Sequence, residues 1–279
     1  MSRIKRTLSL LTNYYLLRRT PTFVYSMRRT GTVALFDALK ARGVFVIATH
    51  ELNPDSTHGG RVSGSARWAR KHVIRRRKPA KIIALVRNPF DTMASVFAKS
   101  NFDAAIVSGQ TEAYARQQPS AAELSQQFIE NYLENGRYQE QLTWYEQEFR
   151  PALKIDVYDH PFDKQRGFAR FDEGPYSVLI LKTELDDAAK ALLVGEFLGL
   201  PDFHMAPAKE VAYPTLRTGF TPGIPGDQAP YGSHYERLKS GLTIPESYWN
   251  HIVNSRFAQH FFSSDELLAS RAKLVAARP

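Results

Sequence analysis

Residues 25–33 hold two adjacent arginines, Arg28 and Arg29, followed by Thr30, Gly31, Thr32 and Val33. Two cations and two hydroxyls packed this closely can grip an oxyanion. The apolar residues before them, Thr22 to Tyr25, read as a strand, and those after them, Val33 to Lys40, read as a helix. A strand, a tight turn with one glycine and a helix start aim several backbone N–H groups and the positive helix end at one spot. A phosphate or sulfate fits there. The competing reading is a plain strand-to-helix turn whose threonines cap the helix.

A second cluster lies in residues 81–95. Ile82 to Val86 reads as a buried strand ending in Arg87-Asn88-Pro89, with a helix beginning near Phe90. Pro89 suits a helix start, where its missing N–H costs nothing. Asp91 falls in the first turn, where negative charge is favoured. Ser95 lies about two turns into that helix. Ligands of parallel α/β sheets bind at the carboxyl ends of the strands. Arg87 and the 28–32 turn therefore open at the same edge. They make two anion sites side by side, suited to a ligand with two separated anionic groups.

These segments resemble the two cofactor motifs of the sulfotransferases that use 3′-phosphoadenosine 5′-phosphosulfate (PAPS). The family's first motif is a strand, then Lys-Ser/Thr-Gly-Thr-Thr/Ser, then a helix, and it grips the 5′-phosphosulfate. Here it reads Arg29-Thr30-Gly31-Thr32-Val33. The second is a strand, then Arg-Asp/Asn-Pro, then a helix with a serine eight residues after the arginine, and it grips the 3′-phosphate. Here Arg87, Asn88, Pro89 and Ser95 keep that spacing. A third match is the run from Val178 through Glu184-Leu185-Asp186 to Phe197-Leu198-Gly199-Leu200-Pro201, and the C-terminal third is similar to bacterial capsule-type members. The likeness covers roughly residues 20 to 270. It implies a P-loop-like parallel sheet flanked by helices in a single α/β domain over 21–279, preceded by a basic segment, 1–20. It implies PAPS as donor and 3′,5′-adenosine bisphosphate as product. It implies Arg28, Arg29, Thr30, Gly31, Thr32, Val33, Arg87 and Ser95 as donor-binding residues. Arg217, beside Thr218 and Gly219, resembles a late basic-glycine loop that closes over the 3′-phosphate in some members.

The chain departs from the family at two positions. Arg29 stands where the family carries Lys, and a planar fork is not equivalent to a point charge. Val33 replaces a hydroxyl residue and removes one phosphate donor.

Sulfuryl transfer, like phosphoryl transfer, depends on in-line positioning and on stabilising charge at the leaving oxygen. It also gains from a base for the acceptor's proton. His50 ends the strand that begins at Val44, so it falls on the same sheet edge as Arg29 and Arg87. An unperturbed histidine titrates near pH 6.5. Glu51, adjacent, is the second choice. The catalytic set is thus His50, Arg29 and Glu51. The other histidines show no HExxH or comparable spacing, so no metal is expected. The acceptor is open: a hydroxyl or, failing that, an amine, on a glycan, a lipid or a small molecule, with an acidic acceptor among the candidates.

The elements that position these groups alternate. Strand 22–27, helix 31–42, strand 44–49, strand 81–87 and helix 90–99 argue a parallel sheet with crossover helices. Residues 101–119 read as loop or irregular helix. Ser120 and Glu123 form a capping box that opens a long amphipathic helix to Phe149, interrupted at Gly136, with Leu124, Phe128, Tyr132, Leu142, Tyr145 and Phe149 inward. Leu153 to Tyr158 reads as a strand, 159–175 as a surface loop, 201–232 as a long Pro/Gly-rich loop, and 247 onward as helix.

The chain has no cysteine, which excludes disulfides and thiol chemistry. Its net charge of +9 is unevenly placed, because residues 61–90 contain no Asp or Glu. That stretch is either a solvated basic face or a recruiter of anionic partners. A non-catalytic polyanion- or nucleic-acid-binding protein using 61–81 is the alternative function; no specific nucleic acid is expected. The uncharged stretch from Thr7 to Leu17 is too short to span a bilayer and lacks a small-residue cleavage site, so a cytoplasmic location is expected. With basic residues around it, peripheral membrane contact ranks below a plainly solvated segment. A P-loop kinase fits poorly, since no glycine leads the turn and Thr32, not Lys, follows Gly31. The oligomeric state is open.

Overall fold

The computed structural model describes residues 3–55, 62–108, 119–205 and 229–276. Its α-helices, in chain order, are α1 (Arg3–Leu11), α2 (Thr32–Ala41), α3 (Gly64–Ala69), α4 (Pro89–Val107), α5 (Ala121–Phe128), α6 (Gln139–Leu142), α7 (Arg150–Leu153), α8 (Asp187–Leu198), α9 (Ala229–Gly241), α10 (Glu246–Val253), α11 (Arg256–Phe261) and α12 (Ser264–Ala276). Its strands are β1 (Thr22–Tyr25), β2 (Val46–Thr49), β3 (Ala80–Val86), β4 (Phe168–Glu173) and β5 (Tyr176–Lys182).

The chain divides into two compact units. One joins Met1–Arg87 to Thr143–Ala208 and contains the whole sheet. The other joins Asn88–Leu142 to Lys209–Pro279, and its described elements are all helical.

In the sheet unit the strand order is β2-β1-β3-β5-β4. β1 pairs in parallel with β2 and β3, β3 pairs in parallel with β5, and only β4 runs antiparallel. Apart from Lys81, β3 is a run of Ile, Ala, Leu and Val, as a strand covered on both faces must be. Leu35 and Leu39 of α2 and Ala191, Val194 and Phe197 of α8 pack on Val24, Ile83, Leu85, Leu179 and Leu181. On the other face Tyr25 stacks on Phe149 at 5.4 Å and meets Trp144 edge-on at 5.0 Å. α8 begins where the Asp186 side chain accepts the Ala189 N–H at 2.7 Å, and it ends at Gly199 in the left-handed region.

In the helical unit the Ser120–Glu123 capping box forms as expected. All six expected inward residues between 124 and 149, four of them in this unit, are buried. Phe90 stacks on Trp249 at 4.4 Å, and Phe97 meets Phe128 edge-on at 5.3 Å.

Four expectations need correction. α4 runs to Val107 instead of stopping near residue 99. Residues 153–158 are no strand: Lys154 turns into the left-handed region, and Asp156 caps a short 3₁₀ turn at Val157–Asp159. Residues 168–173 are not loop but the antiparallel edge strand β4. Helix does not end at Phe149: α7 follows directly, with Pro151 in its first turn, where a missing N–H is tolerated.

Candidate anion site at the end of β1

The chain passes from β1 to β2 on one side of the sheet and from β3 to β4 and β5 on the other. The crevice between the carboxyl ends of β1 and β3 is therefore the switch point, where open α/β sheets bind ligands. Residues 28–32 and Arg87 both lie there.

The 28–31 loop holds an unusual backbone. Arg29 has φ 66° and Gly31 has φ 78°. Gly31 is the N-cap of α2 and, being glycine, offers no side-chain cap to the helix start. Thr30 does not cap it, because its hydroxyl donates back to the Met27 carbonyl at 3.0 Å. The capping explanation of the threonines thus fails for Thr30, and the first amides of α2 keep no intrahelical partner. Val33, in that first turn, is 55% exposed.

Neighbouring strand ends pin the loop. Arg87 Nη1 donates to the Arg29 carbonyl at 3.1 Å. Thr183, just past β5, donates through its hydroxyl to the Thr30 carbonyl at 3.1 Å. Its own carbonyl accepts from Lys190 Nζ at 3.2 Å, and Lys190 also pairs with Asp187 at 2.8 Å. Ser26 Oγ is buried and accepts the Leu85 N–H at 2.6 Å. Arg29 and Arg87, assigned from sequence to different anions, meet on one loop.

Beside the loop opens a cleft of about 260 Å³, lined by Arg28, Thr32, Val33, Phe36, His50 and Glu51 among others. His50 Nδ1 stands 2.7 Å from the Ser26 carbonyl. Burial holds the imidazole below its ordinary pKa of 6.5; the Ser26 contact opposes this and the Arg28 charge adds to it. Glu51 pairs with Arg28 at 3.2 Å, and the Arg28 side chain remains more than half exposed. Trp144 Nε1 donates to the His50 carbonyl at 3.3 Å.

Ser95 lies in α4 of the helical unit, 2% exposed. Arg217 lies outside the described residues, as do Arg61 and His58.

Sequence reasoning missed the residues that brace the cleft. Glu148 is fully buried, and its Oε1 accepts from Tyr25 Oη at 2.8 Å, Leu52 N at 2.5 Å and Asn53 N at 2.7 Å. The available signal was a carboxylate on the same stripe as Tyr145 and Phe149. Ser26 and Thr183 gave no such signal.

The geometry defines an α/β chain with a mostly parallel sheet, an arginine-flanked loop at its switch point and, beside that loop, a cleft lined by Arg28, His50 and Glu51. Comparison of the chain with protein-family models, with curated proteins and with solved structures yields no match.

Proposed function

We propose that the chain is a PAPS-dependent sulfotransferase with a P-loop-like donor site. One observation carries the reading: the start of α2 lacks a side-chain cap, sits at the β1/β3 switch point, and has the Arg87 guanidinium anchored on its loop. An uncapped helix start with two flanking arginines favours a phosphate or sulfate.

In this reading the α2 amides, Thr32 and Arg29 hold the 5′-phosphosulfate. Arg87 holds the 3′-phosphate. The acceptor oxygen attacks sulfur in line as the bond from sulfur to the bridging phosphate oxygen breaks, and 3′,5′-adenosine bisphosphate leaves. The acceptor's proton passes to His50. Nδ1 faces a carbonyl, which only accepts, so it carries the hydrogen and Nε2 is the basic nitrogen. Glu51, engaged with Arg28, is the weaker base. Arg29 supplies charge to the leaving phosphate, as a fork instead of the family's ammonium.

The test is thermal-shift titration with 3′,5′-adenosine bisphosphate and with 5′-AMP, followed by a screen of hydroxyl and amine acceptors with labelled PAPS. Clear preference for the bisphosphate and label transfer support the reading. Equal affinity for the two nucleotides overturns it.

A further inference from the structure

Eight large hydrophobic side chains stand exposed among the described residues, and five of them fall within residues 8–17: Leu8, Leu11, Tyr15, Leu16 and Leu17. Leu8, Leu16 and Leu17 are 63%, 76% and 56% exposed. Such clustering is unlike the single exposed residues scattered over ordinary surfaces.

The segment is docked, not loose. Leu10 is buried, the Tyr14 ring meets Trp68 edge-on at 5.2 Å, and the Tyr14 hydroxyl donates to the His72 carbonyl at 3.3 Å. The Tyr15 hydroxyl contacts His72 Nδ1 at 2.6 Å. One side of the segment, with Leu10, thus packs on α3 and the π-helical turn Arg70–Ile74, while Leu8, Leu11, Leu16 and Leu17 face outward.

That same support is strongly basic. Lys71, Arg75, Arg76, Arg77 and Lys78 are exposed, as are Arg18 and Arg19. Arg76 lies close enough to act on both Tyr14 and His72, and with Lys71 it adds to the burial that lowers the His72 pKa. Residues 1–20 carry five basic residues, residues 62–81 carry eight, and neither stretch has an Asp or Glu.

We infer that this face is a docking surface for an anionic lipid bilayer. The leucines enter the boundary between headgroups and acyl chains, and the arginines and lysines stay among the phosphates. Interfacial helices bind in this way, through apolar burial plus attraction to anionic lipid. Charge complementarity selects this occupant. A nucleic acid would engage the cations through its phosphates and leave the leucines in water. A second copy, joined about a two-fold axis, would set two unscreened basic faces against each other. The inference is independent of the sulfotransferase reading.

The experiment is co-sedimentation of the full chain with phosphatidylcholine vesicles and with vesicles of phosphatidylcholine mixed with phosphatidylglycerol, at low and high salt. Three variants accompany it: Leu16→Ser/Leu17→Ser, Leu8→Ser/Leu11→Ser and Arg75→Glu/Arg76→Glu. All alter exposed side chains, and circular dichroism confirms their folding. The expected result is pelleting with the anionic vesicles only, at low salt, weakened about tenfold or more in each variant. Absence of pelleting, or equal pelleting with neutral vesicles, overturns the inference. So does anionic-vesicle binding that ignores both leucine changes, which marks a general polyanion site. Sedimentation velocity without lipid completes the test: a dimer lost in the leucine variants, with no vesicle binding, assigns the face to a second copy instead.

Discussion

His50 Nδ1 and the Ser26 carbonyl oxygen lie 2.7 Å apart, tying the end of β2 to the end of β1. The contact orients a partly buried ring and sets its tautomer, because the carbonyl can only accept. Burial then keeps that ring neutral to lower pH than a free histidine. A histidine held neutral with one free ring nitrogen is a general base that stays competent below neutral pH.

The first prediction concerns rate. A base works only when unprotonated, so turnover with PAPS should fall as pH drops through the lowered His50 pKa, below 6.5. Removing a general base costs about 10²–10⁴ in rate. His50→Ala should lose that much kcat and the acid limb of the pH profile, with affinity for 3′,5′-adenosine bisphosphate nearly unchanged. Full kcat in His50→Ala moves the base elsewhere, with Glu51 next to test.

The same ring shapes stability. The unfolded chain binds this proton more readily than the folded one, so folding releases it. The His50 contribution is level above pH 6.5, and stability falls as pH drops from 6.5 towards the lowered folded value. Urea titrations of wild type and His50→Gln across that window should show a shallower loss in the variant. Parallel curves would mean that His50 titrates alike in both states.

Gly31 and Gly43 make a controlled pair. Both have positive φ, 78° and 72°. A methyl at Gly31 would meet only Thr183 Cγ2 at 3.7 Å, and one at Gly43 would meet nothing within 4 Å. Alanine at either should therefore cost the left-handed strain, about 1–2 kcal/mol, read as a lower urea midpoint. Only Gly31→Ala should also weaken binding of 3′,5′-adenosine bisphosphate, because only Gly31 shapes the start of α2. Equal nucleotide affinity in the two variants would remove the 28–32 turn from the site.

The parts of this arrangement that are local in sequence were legible there. The runs forming β1, α2, β2 and β3, the Ser120 capping box and the placing of His50 and Arg87 at strand ends all rest on periodicity within a few residues. What failed depends on distant partners. β4 alternates half-buried and exposed residues along a sheet edge, and its charges at Arg170, Asp172 and Glu173 mimic a loop until β5 pairs with it. The left-handed turn at Lys154 has no glycine to announce it. The meeting of Arg87 with Arg29, and of Glu148 with Leu52 and Asn53, spans long stretches of chain that no spacing rule connects.

Arg87 should discriminate between nucleotides. If it holds the 3′-phosphate in a desolvated pair, Arg87→Ala should cost roughly 2–5 kcal/mol of affinity for 3′,5′-adenosine bisphosphate, and much less for 5′-AMP. Isothermal titration with both ligands measures the difference. A uniform loss for both would mean that Arg87 acts by bracing the Arg29 carbonyl. Arg29→Lys should retain much of the binding and turnover, whereas Arg29→Ala should weaken the first and abolish the second.

Glu148 supports the fold behind the cleft, and its variants should rank in a fixed order. Its Oε1 gathers the Tyr25 hydroxyl and the Leu52 and Asn53 amides, directly after Glu51, in a fully buried position. Tyr25→Phe removes one donor and leaves the acceptor satisfied, so it should cost about 1 kcal/mol. Glu148→Gln keeps a carbonyl oxygen for the three donors. It also sets an amide NH₂ where Oε2 now lies buried without a hydrogen-bond partner among the described residues, and should cost about 1–3 kcal/mol. Glu148→Ala strands the two buried amides at roughly 1–3 kcal/mol each, a large share of the 5–15 kcal/mol typical of a folded domain, while the Tyr25 hydroxyl keeps the backbone carbonyl of residue 148 at 3.1 Å. It should lower the unfolding midpoint most, or prevent folding. Urea unfolding of the three variants gives the order directly. Glu148→Ala as stable as Tyr25→Phe would mean that water replaces the carboxylate and that the segment after His50 is held by Trp144 instead.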